Sequence, residues 1–92
     1  MSEPALSFTA FVLSLASTAA IHFGDLPDPT SGERAPLNLA GAAQMIDILA
    51  LLEEKTKGNL TPDEEQLLDA ILYELRLRFV EAQGQEKRII TP

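Results

Sequence analysis

His22 is the only histidine in the chain, and Asp25 follows three positions later. Such a pair has the makings of a general base with an orienting carboxylate. It lacks a cysteine nucleophile to activate and a second histidine with which to share a metal. At the end of an apolar stretch, His22 reads better as a favourable charge in the last turn of a helix. The carboxylates form two clusters, Asp63-Glu64-Glu65 and Glu53-Glu54. Catalytic carboxylates face each other across a cleft, whereas these fall at helix ends, where capping and solvation account for them. The alternating acids, central glycine and distal glutamate of an EF-hand are missing. Lys55-Thr56-Lys57-Gly58-Asn59 resembles a phosphate loop only on the surface, because Lys57 precedes Gly58 and no upstream glycine is present. Asn59-Leu60-Thr61 has the form of a glycosylation acceptor, but Pro62 follows it and no secretory leader is expected. No set of nucleophile, base and orienting group emerges. An enzyme is therefore the least favoured class, and no cofactor or metal is expected.

Composition narrows the partners. The 92 residues suffice for one modest core, with 46% hydrophobic residues and only 5% aromatic ones. Leu, Ala and Ile dominate, which favours helices over strands. Fourteen acidic against 7 basic residues give a net charge of −7. Nucleic acid is not expected as a partner, since phosphate contacts need clustered Lys and Arg. An anionic membrane surface is disfavoured for the same reason. Residues 1–6 carry Glu3 and no Lys or Arg, so the apolar stretch behind them does not read as a secretory leader. A cytoplasmic address is the expectation.

Three helices would position these residues: an all-α fold. The first covers about 8–23, behind a tail over 1–6, and has no charged Asp, Glu, Lys or Arg. Ser7 suits its N-cap and Gly24 its end. At 1.5 Å per residue it reaches about 24 Å, short of a ~30 Å hydrocarbon core, so it reads as buried rather than membrane-spanning. Residues 24–37 hold Pro27, Pro29 and Pro36 and cannot be a regular helix. A loop of this length is functional, partly disordered or simply crossing the molecule, and crossing is preferred. The second helix is predicted over about 39–57, capped by Asn38 and closed by Gly58. The third is predicted over about 62–82, with Thr61 as cap, Pro62 at its first position and Glu64 completing a capping box. It fades between Glu81 and Gly84, leaving a flexible tail over 83–92. Only three residues separate helices two and three, so the two lie antiparallel as a hairpin.

The apolar surface exceeds what a hairpin buries. Helix two carries the stripe Leu39, Ala42, Ala43, Ile46, Leu49 and Ala50, and a second one of Met45, Ile48 and Leu52. Helix three has Leu68, Ile71, Leu72, Leu75 and Phe79, then Ala70, Tyr73, Leu77 and Val80 beside them. Helix one is apolar nearly all round, which demands burial on most sides. A homo-oligomer, a dimer first, removes the surplus most simply, with Phe11, Leu15, Tyr73, Leu77 and Val80 at the interface. Among the charges, Glu74 can pair with Arg78 one turn on. Asp47 either bridges to Arg76 or Arg78 or, as preferred, sits on a solvated stripe with Gln44 and Glu54.

Several segments carry a resemblance. They are Ser7-Phe8 with Leu13-Ser14-Leu15-Ala16-Ser17, His22-Phe23-Gly24-Asp25, Pro27-Asp28-Pro29, Asn38-Leu39 and Ile46-Asp47-Ile48-Leu49. Further on come Glu54-Lys55-Thr56-Lys57-Gly58-Asn59-Leu60-Thr61, Glu64-Glu65, Leu67-Leu68 and Leu72-Tyr73-Glu74-Leu75-Arg76. Over residues 7–81 the chain resembles the bacterial domain-of-unknown-function family 1844. The resemblance implies a small bacterial protein and carries over no activity, cofactor or catalytic residue.

The residues then favour a non-enzymatic, oligomerising protein-interaction module. Lys55, Lys57, Asn59 and Arg76 form its candidate surface toward an acidic partner, together with the 24–37 loop. The alternatives are a carrier of a small apolar ligand around Phe11, Leu15, Ile46 and Phe79, or a peripheral membrane protein attached through helix one.

Overall fold

Each helix begins where a side chain accepts the first free N–H groups, as the spacing predicts. The structure, a computed structural model, describes residues 7–89, with side chains through Gln85. The expected tail over 1–6 and positions 90–92 of the other lie outside the described residues. Helix α1 spans Phe8–Phe23, α2 Leu39–Lys55 and α3 Pro62–Ile89. Ser7 Oγ accepts from the Ala10 N–H at 3.0 Å, and Asn38 Oδ1 accepts from the Gly41 N–H at 2.9 Å. At Thr61 the capping box closes both ways. The Glu64 N–H donates to Thr61 Oγ1 at 3.2 Å, and the Thr61 N–H donates to Glu64 Oε1 at 2.9 Å. Helix α1 ends in a Schellman turn. Gly24 adopts φ 82°, its N–H donates to the Ile21 carbonyl, and the Asp25 N–H donates to that of Ala20.

Two helix ends differ from expectation. Helix α2 stops at Lys55 instead of Lys57, because Thr56 takes the cap and its hydroxyl donates to the Leu52 carbonyl at 2.7 Å. The chain then turns tightly to Gly58, whose φ of 84° is left-handed. Helix α3 passes the expected end near 82 and continues to Ile89, so 83–89 is helix rather than a flexible tail. Ala82 is fully buried, which keeps that turn in the core, and no proline follows before Pro92 to stop the helix.

The three helices form one bundle. Near the α2–α3 turn, Val12, Leu49, Leu68 and Leu72 make one buried cluster. At the opposite end Ala19, Phe23, Ala42 and Ala82 make another, and Ile46 and Leu75 pack against both. The early part of α1 thus meets the start of α3, and its late part meets the start of α2 and the end of α3. Helix α1 is accordingly parallel to α3 and antiparallel to α2, and it packs on its own hairpin. Alanine on all three helices at the second cluster lets the backbones approach closely.

The 24–37 loop does not cross the molecule. Its two ends meet, with the Asn38 N–H donating to the His22 carbonyl at 2.7 Å. Between them the chain folds on itself as an Ω-type loop around Asp28. The Asp28 N–H donates to the Glu33 carbonyl at 2.9 Å, and Asp28 Oδ1 accepts from both the N–H and the hydroxyl of Thr30. Those bonds to the charged form hold the Asp28 carboxyl below its ordinary range. Local bonds of this kind supply what a crossing path would have to find elsewhere.

Candidate interaction surface

The residues proposed as a surface for an acidic partner fall into two places. Lys55, Lys57 and Asn59 are exposed around the α2–α3 turn. Lys57 lines a concavity of about 410 Å³ there, beside Glu53, Glu54, Glu65 and Asp69. It is the one cation among those lining residues, so the turn is no basic patch. Arg76 lies fourteen residues beyond Pro62, about 21 Å further along α3. It lines two shallow grooves between α2 and α3, one of about 280 Å³ with Asp47, Phe79 and Val80, the other of about 480 Å³ with Glu53, Asp69 and Tyr73.

Glu53 and Asp69 face each other from the two helices at the head of that second groove. The Asp69 carboxyl beside it favours the protonated form of Glu53 and holds that carboxyl above the ordinary carboxylate range. Partial burial and the Asp69 charge push the same way, while Arg76 and Lys57 lean against it. The pairing had no local signature, since the two acids lie sixteen residues apart across a turn.

The expected oligomer residues also divide. Tyr73, Leu77 and Val80 stand out from α3 with 66%, 47% and 63% of their surface exposed. Phe11 and Leu15 are half-buried on α1, and Leu15 packs against the buried cluster of Val12, Leu49, Leu68 and Leu72. Helix α1 does not need burial all round. It turns Val12, Ala19 and Phe23 inward and leaves Ala10, Leu13, Ser14 and Ser17 exposed. The second stripe of α2 is largely absorbed too, with Met45 and Leu52 packed against the two clusters. Among the described residues Tyr73, Leu77 and Val80 of the second α3 stripe stay uncovered, as do Leu13 on α1, Leu26 in the loop and Leu51 on α2.

Of the four residues imagined around a ligand, Ile46 and Phe79 line the smaller groove, which includes neither Phe11 nor Leu15. Asp47 is exposed beside Arg76 in that groove, without an ion pair to Arg76 or Arg78. Arg78 does not pair with Glu74. Its Nε donates to Asp25 Oδ2 and its Nη2 to Asp25 Oδ1, both at 2.8 Å, and Glu81 stands at 4.0 Å. Asp25 is thereby taken from His22, whose Nδ1 lies 3.4 Å from Asn38 Nδ2. His22 sits at the junction of α1 and α2, beside the Asn38 cap. Among the described residues no group of three or more His, Cys, Asp or Glu is placed to hold a metal ion. Likewise, no described helix is long and apolar enough to cross a membrane.

An all-α bundle of three helices, with a short-turned hairpin and a parallel first helix, is thus the class of protein. A family model described as "Domain of unknown function (DUF1844)" matches residues 5–81, and the chain belongs to that family. The match takes in α1, α2 and most of α3, and stops one residue before the buried Ala82. No curated protein and no solved structure matches the chain.

Proposed function

We propose that this chain is a non-enzymatic, cytoplasmic protein-interaction module that works as a homo-oligomer, with a dimer as its first form. The observation that carries this reading is the uncovered stripe on α3. Tyr73, Leu77 and Val80 recur at four- and three-residue spacing, so they share one face and form a continuous apolar ridge. Apolar residues scattered singly over a surface need no explanation, whereas a contiguous ridge beside two grooves marks an interaction site. Covering the ridge with protein removes apolar area from water at roughly 25 cal/mol per Å².

Native mass spectrometry of the purified chain tests this. A clean multiple of the chain mass is the expected result, reverting to the single-chain mass in Leu77→Glu, which places a charge on the ridge and touches no core cluster. A single-chain mass for the unaltered protein at micromolar concentration overturns the oligomer.

A further inference from the structure

Two residues close the 24–37 loop, His22 in the last turn of α1 and Asn38 at the start of α2. Two contacts join them. The Asn38 N–H donates to the His22 carbonyl at 2.7 Å, and Asn38 Nδ2 stands 3.4 Å from His22 Nδ1. We propose that this pair is a proton-operated latch. A neutral His22 holds the loop shut, and a charged one loosens it. The latch is independent of the oligomeric reading above.

The side-chain roles follow from the helix cap. Asn38 Oδ1 is committed to the Gly41 N–H at 2.9 Å, so the amide turns its NH2 group toward the ring. His22 Nδ1 must then accept, which leaves the ring proton on Nε2. Close packing on α2 holds both groups in this arrangement. A Cβ added at Gly41 would fall 2.7 Å from His22 Nδ1 and 2.7 Å from Asn38 Nδ2. A second ring proton, on Nδ1, sets donor against donor. Turning the amide to offer its oxygen gives up the Gly41 bond, and otherwise the ring swings away from α2. Either way the closed loop loses a contact.

No carboxylate is placed to receive the added charge. Asp25 is gripped by Arg78, with Arg34 acting on it from the loop, and Glu81 stands against Arg78. The first turn of α2 carries no acid. Among the described residues no carboxylate lies within 4.0 Å of a His22 ring nitrogen. The end of α1 favours a charge on His22, and the start of α2 across the junction opposes it.

Amide exchange at Asn38 and Gly41, taken relative to the unstructured chain at each pH, reads the latch. From about pH 8 to pH 5, where histidines change charge, both amides should lose protection several-fold. His22→Phe, whose ring takes no proton, should show no such loss. Asn38→Asp keeps a capping oxygen and gives the charged ring a carboxylate, so protection should rise instead. Nitrogen NMR of the neutral ring should find its proton on Nε2. A neutral ring protonated on Nδ1, constant protection in the unaltered chain, or an equal loss in either variant overturns the latch.

Discussion

At the scale of single residues, Arg78 does the most with one side chain. Its guanidinium grips both oxygens of Asp25 and lies 5.3 Å from the centre of the Phe23 ring. Asp25 in turn closes α1 through its own N–H, so this contact fastens α3 to the last turn of α1. The Arg78 hydrogen bond, aided by its charge, holds the Asp25 carboxyl below the ordinary value of 3.8, against a smaller opposing effect of burial. A depressed carboxyl contributes stability at neutral pH and loses it as pH falls through the folded value. Because Asp25 is 43% exposed, solvent screening limits the pair to about 1 kcal/mol even with two-point geometry. Asp25→Ala should therefore cost about 1 kcal/mol in urea unfolding at pH 7. The gap to the unaltered protein should narrow steadily below pH 3.8. A gap that stays constant into acid would mean that the ion pair is not its source.

At the scale of elements, two glycines inside helices have opposite meanings. An added Cβ at Gly84 would meet nothing within 4 Å, whereas one at Gly41 would come within 2.7 Å of both His22 Nδ1 and Asn38 Nδ2. Gly84→Ala should raise stability by about 0.5 kcal/mol, by restricting the unfolded chain in a site with open space. Gly41→Ala gains a similar helix term but displaces the Asn38 cap, worth about 1 kcal/mol, together with the His22 ring. It should lower stability by up to about 1 kcal/mol. Thermal unfolding of the two variants side by side checks the sign of each. The caps and helix starts were legible because each is decided within one turn of chain: Ser7, Asn38 and the Thr61–Glu64 box bond to neighbours three positions away. The end of α3 was not, since Gly84 and the polar residues around it suggest fraying. The buried contact of Ala82 with α1 and α2 is a long-range matter.

At the scale of the whole molecule, the helices are unequal. Helix α3, with 28 residues, outruns α1 and α2, with 16 and 17, and the molecule is elongated at 58 × 30 × 16 Å. Two shorter helices cover one side of α3 and leave the ridge of Tyr73, Leu77 and Val80 uncovered. In the proposed dimer, folding and association are linked, so the melting temperature should rise with protein concentration. Scanning calorimetry over a hundredfold range of concentration measures this, and Leu77→Glu should abolish the dependence. A melting temperature independent of concentration in the unaltered protein would count against association.

The three helices, their caps and the antiparallel hairpin follow from the sequence by itself, because propensity, capping and short turns act between near neighbours. The sequence also contained the surplus of apolar surface and pointed to Tyr73, Leu77 and Val80, but it did not separate them from residues such as Leu15 that the core absorbs. Leu15, Met45, Leu52 and Tyr73 look alike in periodicity. Tertiary packing turns the first three onto the core and leaves Tyr73 in water, according to which helix lies beside which. The same holds for Arg78. Glu74 is one turn away in sequence, yet Asp25, 53 residues distant, takes the guanidinium because the Gly24 turn carries it there. Pairings between remote residues depend on the relative placement of whole helices, and only the assembled bundle sets that.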